Sequence, residues 1–331
     1  MQTKFISEKD PNIWVDVLKY SINEYGQRII SIHGHVPRII LAEINTHRVF
    51  SRNSASSRAV PISKIIDVLK NIPFIPFHWG KKQSGMQAYD ILEDYKARAC
   101  ERIWKLYLTW GIRCAEVLDK IGLHKQIVNR LLEAFQYTNI IITTTEMENF
   151  LNLRTHTSTE PHFQEFANCI KRAWNECSPT LLKYGEWHLP FIDTKRENGK
   201  LIYVILEETE DGWSFWREFD VDMAKKISAS CCAQISYRKS DISMEKANRL
   251  WNDMVMAEPI HGSPFEHQAT PLSNDIGIKT DDDSFEHVLL NCWEDGVTHV
   301  DRDGYKWSGN FRGWIQMRQL LEKQYTDDKS R

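Results

Sequence analysis

The residues best equipped for chemistry lie in residues 43–58, which read Glu-Ile-Asn-Thr-His-Arg-Val-Phe-Ser-Arg-Asn-Ser-Ala-Ser-Ser-Arg. After Glu43 this donor-rich segment holds three arginines, one histidine, four serines, two asparagines and no acid. A guanidinium fork matches phosphate oxygens, and serine hydroxyls add short hydrogen-bond donors. The composition therefore favours an anionic ligand rich in oxygen atoms. A solvated polar loop is the alternative that composition leaves open.

Further polar clusters lie outside this segment. They are Arg130, the run Asn149–Arg154 (Asn-Phe-Leu-Asn-Leu-Arg), the run His261–His267 (His-Gly-Ser-Pro-Phe-Glu-His), and Ser236 upstream of that run. Each has an ordinary structural explanation. Arg154 could stabilise the C-terminus of a helix, and Ser263 with Glu266 could begin a capping box. No single cluster decides the function.

Other patterns that could carry chemistry are weak. The chain has no glycine-rich dinucleotide fingerprint, no P-loop and no Cys-x-x-Cys pair. His33-Gly34-His35 could supply two metal ligands, but isolated pairs of this kind are mostly structural. Cys231-Cys232 could hide a nucleophile, although adjacent cysteines on an apolar helical face are more often core residues. We therefore expect no metal site and no cysteine nucleophile.

Composition restricts the class of protein. The chain has 331 residues and a net charge of -3, so no overall charge attracts nucleic acid or an anionic membrane. Its seven cysteines are odd in number and irregularly spaced, and we see neither a secretory leader nor an apolar run of membrane-spanning length. We expect a cytoplasmic protein without a membrane or nucleic-acid partner.

Periodicity predicts an α+β fold, with a mixed or antiparallel sheet flanked by long helices and a small β insert. Strands are predicted at 27–32 and 38–44 with a turn at Gly34 and Pro37, and at 139–145. Helices are predicted after Pro61, at 89–120, 125–135, 146–154, about 163–177, 221–233, 243–256 and from 311. The apolar stripe of the long helix comprises Ile91, Tyr95, Ile103, Tyr107, Trp110, Cys114 and Leu118. Gly122 is predicted to end this helix, and Asn198-Gly199 is predicted to form a turn within the β insert.

The predicted division is a core at 1–185, the β insert at 186–220, and a C-terminal part at 221–331. Together the polar clusters resemble those of flavin-dependent thymidylate synthases, whose hallmark is Arg-His-Arg, seven residues, then Ser-x-Arg. Here His47-Arg48 is followed by seven residues, Ser56 and then Arg58. The resemblance implies that the core binds the nucleotide and the flavin, and that the C-terminal part completes the flavin site.

Other segments extend the resemblance over most of residues 27–320. Asn149–Arg154 is similar to the second motif of the family, and Ser263–His267 resembles its flavin-contacting segment. Asn310–Arg318 looks like the divergent branch found in phages and some bacteria. This branch implies a bacterial cytoplasm or a phage-infected host.

The chain departs from the family pattern at three positions and in one arrangement. Thr46 replaces the first Arg of the hallmark, Glu43 stands where many members have Gln, and Ser54 stands where many have Glu. Arg312 or Arg318 could supply the missing cation. The Ser-Pro-Phe-Glu-His segment follows the hallmark instead of preceding it, which indicates a circular permutation.

The resemblance implies a reaction and roles. The family converts dUMP to dTMP with 5,10-methylenetetrahydrofolate as carbon donor and NADPH-reduced FAD as hydride source, in a homotetramer with shared sites. The implied catalytic residues are Arg154 and Ser56. The implied substrate-binding residues are Glu43, Ser54, Ser56, Ser57, Arg58, Arg130 and Arg154. The implied cofactor-binding residues are His47, Arg48, Asn53, Asn149, Ser236, His261, Ser263 and Glu266.

Two alternatives stay open. One keeps the site and changes the product, by flavin-dependent C5-hydroxymethylation or methylation of dUMP or dCMP for modified DNA. Glu43 and Ser54 motivate this alternative, because both positions adjoin the nucleotide in the family. The other is a non-catalytic nucleotide- or single-strand-binding protein, which the near-neutral charge disfavours.

Overall fold

The computed structural model describes residues 3–209, 211–235, 241–257, 260–273 and 293–321. Within these ranges the protein is α+β, as the sequence predicts. The strands are β1 Lys4–Ile6, β2 Trp14–Asn23, β3 Arg28–Pro37, β4 Ser51–Ser54, β5 Tyr137–Thr144, β6 Thr180–Leu182, β7 Asp193–Glu197, β8 Lys200–Glu208, β9 Ser214–Phe219, β10 Ala269–Pro271, β11 His299–Val300, β12 Lys306–Ser308, β13 Phe311–Arg312 and β14 Trp314–Gln316.

Helices cover the main sheet and the C-terminal part. The α-helices are α1 Leu41–Ile44, α2 Ile62–Asn71, α3 Asp94–Ile121, α4 Lys125–Val128, α5 Glu148–Arg154, α6 Pro161–Glu176, α7 Val221–Ala233 and α8 Met244–Val255. The 3-10 helices are Arg38–Ile40, Asn129–Phe135, Ser263–Glu266 and Met317–Leu320. None of the described helices is long and apolar enough to cross a membrane.

The main sheet is mixed and has the order β1-β2-β3-β5-β4, with β6 parallel to β2 and the other pairs antiparallel. Helix α6 packs on this sheet, and its Phe163 and Phe166 join Ile32, Ile142 and Phe150 in a buried cluster. Strand β5 is β-branched and almost wholly buried, as residues 139–145 predict. The donor-rich segment thus borders a rigid core.

The predicted turn at Gly34 and the strand at 38–44 are wrong. Strand β3 continues through Gly34 to Pro37, and residues 38–44 form a 3-10 helix and α1. Gly34 serves close packing, because a Cβ there would lie 2.7 Å from the ring of Phe166. The glycine marks a close approach of helix to sheet, which a single sequence does not distinguish from a turn.

The predicted helix from 311 is also wrong. Residues 311–316 form β13 and β14, and β14 pairs with β10. Gly313 lies between them with φ +75°, a left-handed conformation that interrupts a helix. Trp314, Ile315 and Met317 are all buried, so the segment has no solvent face of the kind that a surface helix keeps.

The β insert is confirmed as the three-stranded sheet β7-β8-β9. Asn198 and Gly199, with φ +50° and +79°, form the predicted turn between its first two strands. Tyr203 and Ile205 of the insert pack with α7, α8 and the C-terminal strands in a second buried cluster. The domain boundaries themselves stay a prediction.

Helix α3 ends at Gly122, which has φ +95° as the predicted C-cap requires. Its predicted apolar stripe does not face the core, since Ile103, Tyr107 and Trp110 are exposed. Leu108 and Ala115 are buried instead, in a cluster with α2 and the 3-10 helix Asn129–Phe135. The helix therefore has two apolar faces, and the described residues cover one of them.

Candidate functional site

The donor-rich segment is fixed by β4, which pairs antiparallel with the buried strand β5 from Ser51↔Thr143 to Ser54↔Ile140. The turn before β4 is held by Arg52. Its guanidinium donates to the carbonyl oxygens of Ile44, Asn45 and His47 at 3.3, 2.7 and 3.1 Å. Arg52 therefore organises the backbone beneath His47, and its burial lowers its pKa.

Arg154 joins the second motif to the first. At the end of α5, its Nε donates to Nε2 of His47 at 2.9 Å, and its Nη2 donates to Oγ1 of Thr46 at 3.3 Å. The guanidinium carbon lies 4.8 Å from the ring centroid of Phe163, within cation–π distance. Three neighbours thus fix one partly exposed cation, whose side chain is 24% exposed.

The imidazole of His47 is neutral at physiological pH. Burial, followed by the charges of Arg154 and Arg52, lowers the pKa of His47 to about 4. A neutral ring can accept the Nε–H of Arg154, and a protonated ring cannot. The His47–Arg154 hydrogen bond therefore depends on the proton-free state that its surroundings impose.

A carboxylate adjoins the same guanidinium. Oε2 of Glu43 lies 3.9 Å from Nη1 of Arg154. Burial and the charge of Glu160 raise the pKa of Glu43, while Arg154 lowers it. Thr46 donates its hydroxyl to the carbonyl oxygen of Glu43 at 2.7 Å. Arg154 therefore contacts both the carboxylate of Glu43 and the hydroxyl of Thr46.

The two arginines expected to replace that cation are both paired. Nε of Arg312 lies 2.8 Å from Oε1 of Glu146, an ion pair without hydrogen-bond alignment. Arg318 pairs with Glu266. Their suggested role as replacements stays a prediction.

A cavity of about 500 Å³ lies at the far end of β4, beside Ser56 and Ser57. Apolar side chains of α2, such as Ile65 and Leu69, line one side. The polar lining side chains are Asn12, His35, Arg38, Ser56, Ser57, Lys64, Gln136, Tyr137, Thr138 and Asn139. A cavity of this size with a few convergent polar groups is typical of small-molecule sites.

Glu133 organises the polar rim of this cavity. It accepts a hydrogen bond from Oγ of Ser57 at 2.8 Å and lies 3.3 Å from Nε of Arg38. Asn129 donates to the carbonyl oxygen of Ser57 at 2.6 Å. Arg38 and Asn129 were not predicted as site residues, because their neighbours in the sequence do not indicate a ligand.

One chain does not bring all the predicted substrate residues together. Arg58 and Arg130 are exposed and do not line the cavity, although Nη1 of Arg130 lies 3.9 Å from Glu133. The Arg154 cluster adjoins the start of β4, and the cavity adjoins its end at Ala55. At about 3.3 Å per residue, four residues of strand separate these ends by roughly 13 Å.

The predicted flavin residues flank β4 from the C-terminal side. Nε2 of Gln316 donates to Oγ of Ser51 at 3.1 Å and to the carbonyl oxygen of Glu266 at 3.3 Å. Asn53 donates its amide to the carbonyl oxygen of Cys232 at 3.3 Å. The structure therefore brings Glu266 and its 3-10 helix beside the donor-rich segment.

The remaining predicted flavin residues lie at the surface or outside the described ranges. Arg48, Asn149, His261 and Ser263 are exposed, and Arg48 has no ion pair with the described residues. Ser236 lies outside the described residues. Gly262, with no side chain, is the N-cap of the 3-10 helix, so the alternative capping role of Ser263 is wrong.

A buried hydrogen-bond network was not predicted from the sequence. His188 contacts Oγ of Ser21 at 2.9 Å and Oγ of Ser31 at 2.8 Å, and Ser31 contacts Oγ1 of Thr143 at 2.6 Å. Thr143 in turn contacts Nδ1 of His267 at 2.9 Å. Burial lowers the pKa of His267 to about 3 and that of His188 well below its ordinary value. This hydrogen-bond network connects the main sheet to the C-terminal segment.

The weaker sequence candidates have structural partners. Burial raises the pKa of Cys231 to about 12 and that of Cys232 well above its ordinary value, so neither is a thiolate. His33 contacts Asn139, and His35 contacts the carbonyl oxygen of Asn12. Within the described ranges, no group of three or more His, Cys, Asp or Glu side chains could hold a metal ion.

Comparison with protein-family models and with curated proteins gives no match. Among solved structures, the chain is similar to a UMP/dUMP methylase, PolB from Streptomyces cacaoi, bound with 5-Br UMP. The TM-score is 0.43 at 14% identity over 52% of this chain and 92% of that chain. For the complex with 5-Br dUMP, the TM-score is 0.39 at 16% identity over 45% and 67%. Likeness at these scores decides neither fold nor function.

Proposed function

We propose that the protein methylates carbon 5 of dUMP to form dTMP, with methylenetetrahydrofolate as carbon donor and NADPH-reduced FAD as hydride source. One observation carries the proposal. The guanidinium of Arg154, from the second motif, is fixed by Thr46 and the neutral His47 of the first motif. Two segments singled out by the family resemblance thus meet at a partly exposed cation.

A fixed cation suits this reaction. Carbon 5 of uracil is a weak nucleophile until negative charge develops on the ring, and a cation held against a ring carbonyl stabilises that charge. The guanidinium of Arg154 supplies such a cation, and its contacts with His47 and Phe163 hold its orientation. The mechanism needs no cysteine nucleophile, in keeping with the raised pKa values of Cys231 and Cys232.

The cavity beside Ser56 is our proposed nucleotide site. Ser56 and Ser57 would bind the nucleotide there, Ser56 as the second catalytic residue, with Arg58 and Arg130 as phosphate partners near its rim. Arg38 and Lys64, which line the cavity, add positive charge. We further propose the shared-site homotetramer that the resemblance implies, in which Arg154 of one subunit would meet the nucleotide bound by another.

The chemistry of the residues around β4 fits a flavin nucleotide. Arg48 offers an exposed guanidinium for a pyrophosphate, and Asn53, Ser263 and Glu266 offer amide, hydroxyl and carboxylate groups. Bound FAD would supply the hydride, while these residues position it. His261 and Asn149 would complete the same site.

The proposal is tested by incubating the protein with dUMP, methylenetetrahydrofolate and NADPH, with and without FAD, and weighing the products by mass spectrometry. We expect dTMP in the complete mixture and a large loss of product when FAD is removed from the protein and the buffer. Absence of dTMP from the complete mixture, with FAD shown to be bound, would refute the proposal.

Glu43 favours a second candidate, C5-hydroxymethylation or methylation of dCMP. Its carboxylate lies beside Arg154, where many family members have Gln. A carboxylate accepts a hydrogen bond from the amino group of cytosine and repels the O4 carbonyl of uracil. Running dCMP beside dUMP in the same assay separates the candidates, since a product formed from dCMP alone would select the second.

A further inference from the structure

One face of α3 is apolar and exposed among the described residues. Its members are Ile103, Leu106, Tyr107, Trp110, Val117 and Ile121. They are between 54% and 74% exposed, although the opposite face of the same helix is buried through Leu108 and Ala115. We name these six residues the α3 seam.

Their spacing is that of a helix–helix contact. Ile103, Leu106, Trp110, Val117 and Ile121 are separated by three, four, seven and four residues. Steps of three and four keep side chains on one stripe of a helix, and a seven-residue repeat keeps that stripe facing a partner helix. An isolated exposed Leu or Trp is unremarkable in a monomer, whereas a contiguous stripe of this kind marks an interaction surface.

The area of the seam matches a stable interface. The two aromatic side chains carry roughly 150–250 Å² of surface each and the four aliphatic ones less, so six side chains that are more than half exposed present on the order of 600 Å². A standard protein–protein interface buries about 800 Å² per partner. The seam and its immediate neighbours on α3 therefore suffice for one subunit contact.

We propose that the α3 seam packs antiparallel against the α3 seam of a second copy of this chain, with the two-fold axis at Trp110. Ile103 and Val117 lie seven residues before and after Trp110. An axis through Trp110 therefore places Ile103 of each copy opposite Val117 of the other. A symmetric pair buries the whole stripe on both copies, because an isologous contact uses the same surface twice. This inference does not depend on the proposed reaction.

Sedimentation velocity of the full chain tests the proposal. The monomer mass is 38.9 kDa, and the wild type should sediment with at least twice that mass at micromolar concentration. Trp110→Glu should at least halve the assembled mass, whereas the control Trp213→Glu, at an exposed Trp of the β insert, should leave it unchanged. A monomeric wild type, or an assembled mass that Trp110→Glu does not change, would overturn the proposal.

A mixing experiment distinguishes the seam from a folding defect. Ile103→Lys and Val117→Glu should each dissociate the pair, because each buries a charge opposite an apolar side chain. An equimolar mixture of the two variants should reassociate, since Lys at 103 of one copy would meet Glu at 117 of the other. A mixture that stays dissociated would contradict the antiparallel register centred on Trp110.

Discussion

Nε of Arg154 donates a hydrogen bond to Nε2 of His47 at 2.9 Å, across 107 residues of sequence. This bond requires a neutral imidazole, and burial with two nearby guanidinium groups keeps the pKa of His47 at about 4. It fixes a guanidinium beside Glu43 and Thr46.

His47 should make stability depend on pH. Its folded pKa of about 4 lies below the value of about 6.5 expected in the unfolded chain, so the unfolded state binds the proton more readily. Its contribution is complete above pH 6.5 and is lost as the pH falls towards 4. Between pH 7 and pH 5, the urea midpoint of the wild type should therefore fall further than that of His47→Gln, which keeps an acceptor but cannot titrate. Equal falls would show that the pKa of His47 is the same in the folded and unfolded states, which would contradict the lowered value.

Removing the guanidinium of Arg154 should abolish turnover and leave the flavin bound. Loss of a fixed donor to developing charge typically costs about 10²–10³-fold in kcat, and Arg154→Ala should lose at least that much. Arg217→Ala, at a surface arginine that pairs with Glu207, is the matched control and should keep its activity. Turnover by mass spectrometry and flavin absorbance should be recorded on the same samples. Substantial turnover by Arg154→Ala would be incompatible with the proposed role.

Glu43→Gln should shift base preference towards dUMP. The substitution removes the carboxylate 3.9 Å from Arg154 and supplies an amide that both donates and accepts. We expect the ratio of kcat/KM for dUMP over dCMP to rise by about tenfold, the equivalent of one hydrogen bond to a charged group. Ser54→Glu, which restores the other common family residue, provides a comparison at a second position. A ratio unmoved by Glu43→Gln would exclude Glu43 as a determinant of base choice.

Gly34→Ala should destabilise the sheet–helix core. The added Cβ would lie 2.7 Å from the ring of Phe166, and overpacking of this kind costs about 1–3 kcal/mol. The cost should appear in the free energy of unfolding measured with urea. Phe166→Leu alone should also destabilise the protein, but it should cost less in the Gly34→Ala background because the shorter side chain leaves room. Additive losses would mean that the two positions do not interact.

Elements with strong local signals could be predicted from the sequence. Asn198-Gly199 marks a tight turn, Gly122 stops α3, and α7 at Val221–Ala233 coincides with the predicted helix at 221–233. These features depend on neighbours in the chain, so the sequence alone suffices for them. The helix predicted from 311 was wrong because the apolar pattern of residues 311–318 follows tertiary burial around Trp314 rather than helical amphipathicity.

The donor-rich segment and its partners were predicted in part. The family resemblance singled out His47, Arg154 and Glu266, and the structure brings His47 to Arg154 and Glu266 to β4. No sequence pattern predicted Arg38 or His188 as a site residue, because their hydrogen-bond partners are distant in sequence. Outside any motif, a polar side chain cannot be distinguished from an ordinary surface residue. The sequence predicted the apolar stripe of α3 but not its exposure, because periodicity does not tell which of two apolar faces the core covers.

The most direct test of the proposed reaction is release of tritium from dUMP labelled at carbon 5. Any substitution at carbon 5 must displace that hydrogen, whatever the fate of the transferred carbon. The proposal predicts release by the wild type with methylenetetrahydrofolate, NADPH and FAD together, and loss of that release in Arg154→Ala. No release from the complete wild-type mixture, or equal release from Arg154→Ala, would contradict it.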